Sequence, residues 1–204
     1  MFQDIVLRLD ILRRLENDRD RVDCVRFNAD GNLLVYGGLS DRWIKIWDWE
    51  AGIAKLTFES GHVYINHFFV AKFMPNTGDR RLITCAADDQ DLVLRLDVSK
   101  KLEKNYVKTV SFNADGNILV SSSVDKQIML WDWETGIPKL TFESGHGNLC
   151  TGFRAKIMPY TDDRSLITCG GDGQVRHARI SECGVETRLL AKHQRNASDL
   201  AFEP

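Results

Sequence analysis

Histidine, cysteine, serine and aspartate side chains are the chemistry-bearing groups of this chain, and their spacing decides what they can do. His62, His67 and Cys85 come nearest to a metal-ligand set. A zinc site needs four ligands at compatible spacing, and no fourth stands in register with these three. His62 then reads as a structural residue and His67 as an exposed one, with no metal bound. Gly170-Gly171-Asp172-Gly173 is rich in glycine. It lacks the Lys-Ser/Thr pair and the following helix through which a phosphate loop works, so it reads as a turn between strands. No serine sits in the Gly-x-Ser-x-Gly elbow that exposes a nucleophile on a sharp turn. The expectation is a protein without catalytic residues, metal or cofactor.

What these residue types do instead is recur. WDWEAGIAKLTFESGH (47–62) returns as WDWETGIPKLTFESGH (131–146), and only Ala51/Thr135 and Ala54/Pro138 differ. VRFNADGNLLV (25–35) returns as VSFNADGNILV (110–120), AKFMPNTGDRRLITC (71–85) as AKIMPYTDDRSLITC (155–169), and DIVLRLDILRRLE (4–16) as DLVLRLDVSKKLE (91–103). The offset drifts from 87 to 84 positions, which places single-residue insertions in loops. The unit is about 85 residues long. Its first half carries the NADGN turn and a Trp-rich strand; its second half carries KxMP, DDR or GDR, and LITC, without the tryptophan.

The elements that hold these motifs are strands. WIKIW (43–47) and QIMLW (127–131) concentrate β-branched and aromatic residues, the composition that suits a pleated, half-buried surface. Asp30-Gly31 and Asp115-Gly116 stand between apolar runs, a strong hairpin signal. No window of ten or more residues keeps a helical period. The fold class is all-β. A Trp-Asp pair followed by Gly-His, repeated at long range, is the punctuation of a WD-repeat β-propeller, and the unit is twice the ~40–45 residues of one blade. Whole blades are expected at 22–60, 61–103, 104–144 and 145–190. Residues 4–17 match the last two strands of a blade, and 195–204 the first strand of another. Either both chain ends combine into a fifth blade, or the propeller is an open, incomplete arc.

Composition narrows the function classes. The chain has 204 residues, 43% of them hydrophobic, and a formal net charge of −2, which offers no basic excess for nucleic acid. No run approaches the ~18 apolar residues of a membrane span. The start, MFQDIVLRLD, puts an acid ahead of its apolar residues, unlike a signal peptide. Five cysteines without CxxC spacing suit a reducing compartment, the cytoplasm or nucleus. The sequon Asn196-Ala197-Ser198 is then expected to be silent. Arg13-Arg14 and Arg176-His177-Ala178-Arg179 read as solvated strand edges, where charge discourages pairing between sheets.

The run VSFNADGNILVSSSVDKQIMLWDWETG, then ESGH, KIMPYTDDRSLITCGGDGQV and VETRLLAKHQ (110–194) resembles the substrate receptors of the cullin-4 RING ubiquitin ligase, the DCAF type. The resemblance is to the group around its eighth numbered member and plant relatives. It implies a propeller that docks on the cullin-4 adaptor, the large damaged-DNA-binding subunit, and presents a protein for ubiquitylation. Docking in that family often uses a Trp-Asp-x-Arg box. Here Trp47-Asp48-Trp49 and Trp131-Asp132-Trp133 are followed by Glu50 and Glu134, a reversal of charge. The alternative is a duplicated, truncated paralogue or a generic WD-repeat scaffold with no ligase docking.

WD blades are braced by an Asp, His, Ser/Thr and Trp tetrad, and its remnants can be placed by register. They are Asp41 and Trp47 in the first blade, His62 and Asp88 with Thr84 in the second, Ser121, Asp125 and Trp131 in the third, and His146 and Asp172 with Thr168 in the fourth. No blade has all four. The loops on the narrow face are the expected partner surface, with Arg42, Tyr64, Asp89, Tyr106, Lys126 and Asn148 as its candidates.

Overall fold

A computed structural model describes residues 22–38, 43–59, 69–86, 92–95, 101–102, 107–147 and 154–197, together with Leu15, Asp199, Leu200 and Phe202. These residues form sixteen strands and no helix. Four antiparallel sheets follow one another along the chain. The first holds β1 (Val22–Phe27), β2 (Leu33–Gly38), β3 (Trp43–Asp48) and β4 (Ile53–Glu59), paired in that order. The second holds β5 (Phe69–Phe73), β6 (Leu82–Ala86), β7 (Leu92–Arg95) and β8 (Lys101–Leu102). The third runs β9 (Val107–Phe112), β10 (Ile118–Ser123), β11 (Gln127–Asp132), β12 (Ile137–Glu143), and the fourth β13 (Arg154–Ile157), β14 (Ser165–Cys169), β15 (Gln174–Ser181), β16 (Gly184–Lys192). Each sheet is a meander whose neighbours in sequence are neighbours in space, the construction of a propeller blade.

The duplicated motifs build duplicated turns. Asn28 closes the β1–β2 hairpin by accepting the Leu33 amide at 2.9 Å, and Gly31 takes the left-handed backbone that the turn requires, with φ of 72°. Asn113 repeats this with Ile118 at 3.0 Å, and Gly116 with φ of 75°. Asp48 and Asp132 cap the next hairpin by accepting the amides of Ala51 and Thr135, each at 2.9 Å. Trp49 and Trp133 stand edge-on to Phe27 and Phe112, with centroids 6.1 and 6.2 Å apart. In each WDWE box the aspartate therefore makes a turn, and the second tryptophan pins the inner strand.

Sheets join through their innermost strands by bonds that recur at one repeat position. Lys72 Nζ donates to the Val110 carbonyl at 2.5 Å, and Ser111 Oγ to the Ala155 carbonyl at 2.9 Å. Lys156 Nζ donates to the Leu200 carbonyl. Lys72, Ser111 and Lys156 are repeat equivalents in AKF, VSF and AKI, so Leu200 stands to the fourth sheet as Val110 does to the second. Side-chain staples run outside this ladder. Asn28 Nδ2 donates to Asp79 at 2.7 Å, and Asn113 Nδ2 to Asp163 at 2.8 Å.

One apolar core spans the first three sheets, including Val35, Ile44, Leu82, Ile83, Val110 and Leu119. A second joins the third and fourth sheets around Val120, Ile128, Leu130 and Leu166. Residues 4–14 and 16–17 lie outside the described residues. Of the expected strand at 195–204, residues 198, 201, 203 and 204 lie outside the described residues, and the others carry no strand pairing among the described residues. No described strand pairing joins the fourth sheet to the first; Asp199 lies 3.8 Å from both Arg26 of the first and Arg154 of the fourth.

Candidate interaction face and the buried polar network beneath it

The β10–β11 and β14–β15 turns lie at one end of their sheets, beside the segment that leaves β12. Lys126 adopts a left-handed backbone, φ of 68°, and its amide donates to the Ser123 carbonyl at 3.1 Å. Asp125 accepts the Gln127 amide at 3.0 Å, and the Lys126 carbonyl accepts the Ser144 amide at 2.9 Å. The fourth sheet copies this frame. Gly173, φ of 74°, takes the place of Lys126; Asp172 accepts the Gln174 amide at 3.0 Å, and the Gly173 carbonyl accepts the His193 amide at 2.8 Å. A Cβ at Gly173 would stand 2.5 Å from the His193 carbonyl oxygen.

Under these turns His146 crosses from the third sheet to the fourth. Its Nδ1 lies 3.0 Å from Asp172 Oδ1 and its Nε2 2.9 Å from Thr168 Oγ1. Asp172 Oδ2 also accepts the Gly147 amide at 2.8 Å. An ionised Asp172 accepts only, so Nδ1 carries the proton, and the bare Nε2 accepts from the Thr168 hydroxyl. Burial lowers the His146 pKa; Asp172 pulls it back up, and the Arg176 charge lowers it again. Asp172 is held below the usual carboxylate range: burial opposes ionisation, but the Gly147 and Gln174 amides and His146 outweigh it. Thr168 is only 1% exposed and His146 4%. A Thr-His-Asp relay so enclosed cannot present a nucleophile to substrate; it fixes the 144–147 segment onto the fourth sheet.

The other tetrad remnants divide between sheets. Trp131 Nε1 donates to Ser121 Oγ at 2.8 Å inside the third sheet, while Asp125 is exposed. In the fourth sheet Ala178 stands where Trp131 would, and is itself buried. In the first, Tyr36 replaces the serine and stacks on Trp47, with centroids 6.4 Å apart. Trp47 Nε1 is thereby buried with no hydrogen-bond partner. Asp41, His62 and Asp88 lie outside the described residues, as do the surface candidates Arg42, Tyr64, Asp89, Tyr106 and Asn148. Lys126 alone of that set is described; it is half-buried.

Two groups escaped the sequence reading. Arg176, expected on a solvated edge with His177 and Arg179, is half-buried and folds over Gly145, where a Cβ would meet its guanidinium at 3.0 Å. It donates to Gln174 Oε1 at 2.8 Å, and its Nε is buried without a partner. A basic residue in the register of apolar Met129 was the available signal. The second group is the row of cations on the inner strands, Arg26, Lys72 and Lys156, visible as VRF, AKF and AKI at one repeat position. Among the described residues no group of three or more His, Cys, Asp or Glu could hold a metal.

Residues 10–48 and 98–132 match the family described as WD domain, G-beta repeat. Both matches end on the aspartate of the Trp-Asp pair, so the chain carries WD repeats. It is similar to the nuclear distribution protein PAC1 of Arthroderma otae, 29% identical over 192 residues, which covers 86% of this chain and 39% of that protein. The PAC1 protein of Arthroderma benhamiae gives the same values. The nuclear distribution protein nudF of Aspergillus flavus is 31% identical over 131 residues, 60% of this chain and 27% of that protein. The chain thus spans two fifths or less of the length of these relatives. Their names concern nuclear distribution and lend no support to a cullin-4 receptor identity.

Proposed function

We propose that this chain, a carrier of WD repeats, is a non-catalytic protein-interaction scaffold with no ligase docking of its own. The observation that carries this reading is the buried His146–Thr168–Asp172 network. The chain's one hydrolase-like constellation among the described residues is consumed in bracing a loop against a sheet. Rigid sheets holding irregular loops are the arrangement through which such scaffolds bind proteins. The partner surface is the end of the sheets that bears the β10–β11 and β14–β15 turns, together with Arg42, Tyr64, Asp89, Tyr106, Lys126 and Asn148. Partners are proteins rather than nucleic acid or membrane, and the site of action is the cytoplasm or nucleus. Five cysteines without CxxC spacing support that placement.

The finer reading, a substrate receptor bound to the cullin-4 adaptor, has less behind it. Glu50 and Glu134 are both exposed, so each Trp-Asp box offers an acid where that docking mode uses an arginine. A task shared with the nuclear distribution proteins is a further alternative, resting on similarity over a minor part of their length. Equilibrium binding to purified adaptor separates the readings. The scaffold reading expects no saturable binding by the wild-type chain up to about 10 μM adaptor, a ΔG° weaker than about −7 kcal/mol. Saturable, salt-resistant binding below 1 μM would restore the receptor reading.

A further inference from the structure

The inner strands converge on a cavity of about 680 Å³ between the second, third and fourth sheets. Lys72, Ser111 and Lys156 line it, with Phe73, Phe112 and Phe202 among its apolar walls. Lys72 donates one hydrogen bond, to Val110, and Lys156 one, to Leu200. An ammonium has three donors, so each lysine keeps two. Neither has a carboxylate in ion-pair contact among the described residues. Asp199 lies 3.8 Å from both Arg26 and Arg154 and also attracts Lys156 at longer range. Asp115, Asp162 and Asp163 also border the cavity, but Asp115 and Asp162 are exposed and Asp163 is bonded by Asn113.

Two ammonium groups sharing a partly desolvated cavity repel each other; Asp199 attracts Lys156 at longer range, while Lys72 has no carboxylate in ion-pair contact among the described residues. Lys72 registers this: burial first, then the charges of Arg26 and Lys156, bring its pKa down to about 8, against small opposite effects from Cys85 and Cys24. Such a pair is relieved by an oxyanion, which accepts charge-assisted hydrogen bonds from both. We propose that the inner end of this cavity is a phosphate site, with Lys72 and Lys156 donating to one phosphate group and Arg26 adding attraction at longer range. The aromatic walls suit a phosphomonoester with a small apolar body. The site is independent of the protein-binding face.

The test is calorimetric titration of the full chain at constant ionic strength with inorganic phosphate, phenyl phosphate and chloride as probes. Inorganic phosphate should bind saturably and chloride should not. Phenyl phosphate should bind several-fold more tightly than inorganic phosphate if the aromatic walls contribute; equal affinity would confine the site to the inorganic ion. Lys72→Met and Lys156→Met should each lower phosphate affinity at least tenfold, while Lys192→Met on the exposed outer strand should not. Equal responses to phosphate and chloride, or lysine variants that bind like wild type, would overturn the proposal. Should both variants fail to fold, NMR titration of wild-type Lys72 decides: phosphate should raise its pKa from about 8 toward the ordinary lysine range, and an unmoved pKa refutes the site.

Discussion

His146 Nδ1–H donates a hydrogen bond to Asp172 and its Nε2 accepts one from Thr168, and both interactions are enclosed by protein. Folding lowers the pKa of His146 below its ordinary 6.5, mainly through loss of water. As pH falls through that value the unfolded chain binds more protons than the folded one, so acid removes stability there. His177, lowered by burial and by Arg188 and Arg179, acts with the same sign, and Asp172 adds a second loss below 3.8. The melting temperature should therefore drop between about pH 7 and pH 5, and His146→Gln should make the drop shallower; a calorimetric scan at each pH checks it, and an unchanged slope would assign the sensitivity elsewhere. The network was legible in the sequence because its members lie at fixed offsets inside two copies of one unit. Arg176 was not, since nothing local reveals that a strand residue folds over a glycine 31 positions away.

Turns, at the scale of elements, carry most of the duplicated signal. Asn, Gly and Asp in NADGN and in the WDWE turns satisfy backbone groups within a few residues, and such local chemistry is readable from sequence. The bonds between sheets were hidden for the opposite reason. Lys72 to Val110 and Ser111 to Ala155 span 38 and 44 positions, and only the packing of one blade against the next reveals the pairing. Gly173 tests the copied turn frame. Gly173→Ala combines an unfavourable φ with a 2.5 Å approach to the His193 carbonyl, so urea unfolding should show a loss of about 3 kcal/mol or more. A loss under about 0.5 kcal/mol would mean that the turn relaxes freely.

Across the described residues the sheets succeed one another, braced by repeat-equivalent bonds, and the described tetrad members differ from sheet to sheet. The first sheet keeps an unbonded Trp47, the third a Ser-Trp pair, the fourth a His-Thr-Asp set. Among the described residues the one hydrolase-like constellation is spent on bracing a loop, and the loop sequences differ between copies; the proposed scaffold role rests on both. The decisive measurement is the affinity of a partner, obtained by cross-linked capture and then purified, for the wild-type chain and for a Tyr64→Ala/Tyr106→Ala/Lys126→Ala variant. Wild type should bind saturably and the variant at least tenfold more weakly, with matching melting temperatures. Binding unchanged by the substitutions, or lost instead on Leu189→Glu/Leu190→Glu at the outer strand of the fourth sheet, would contradict that expectation.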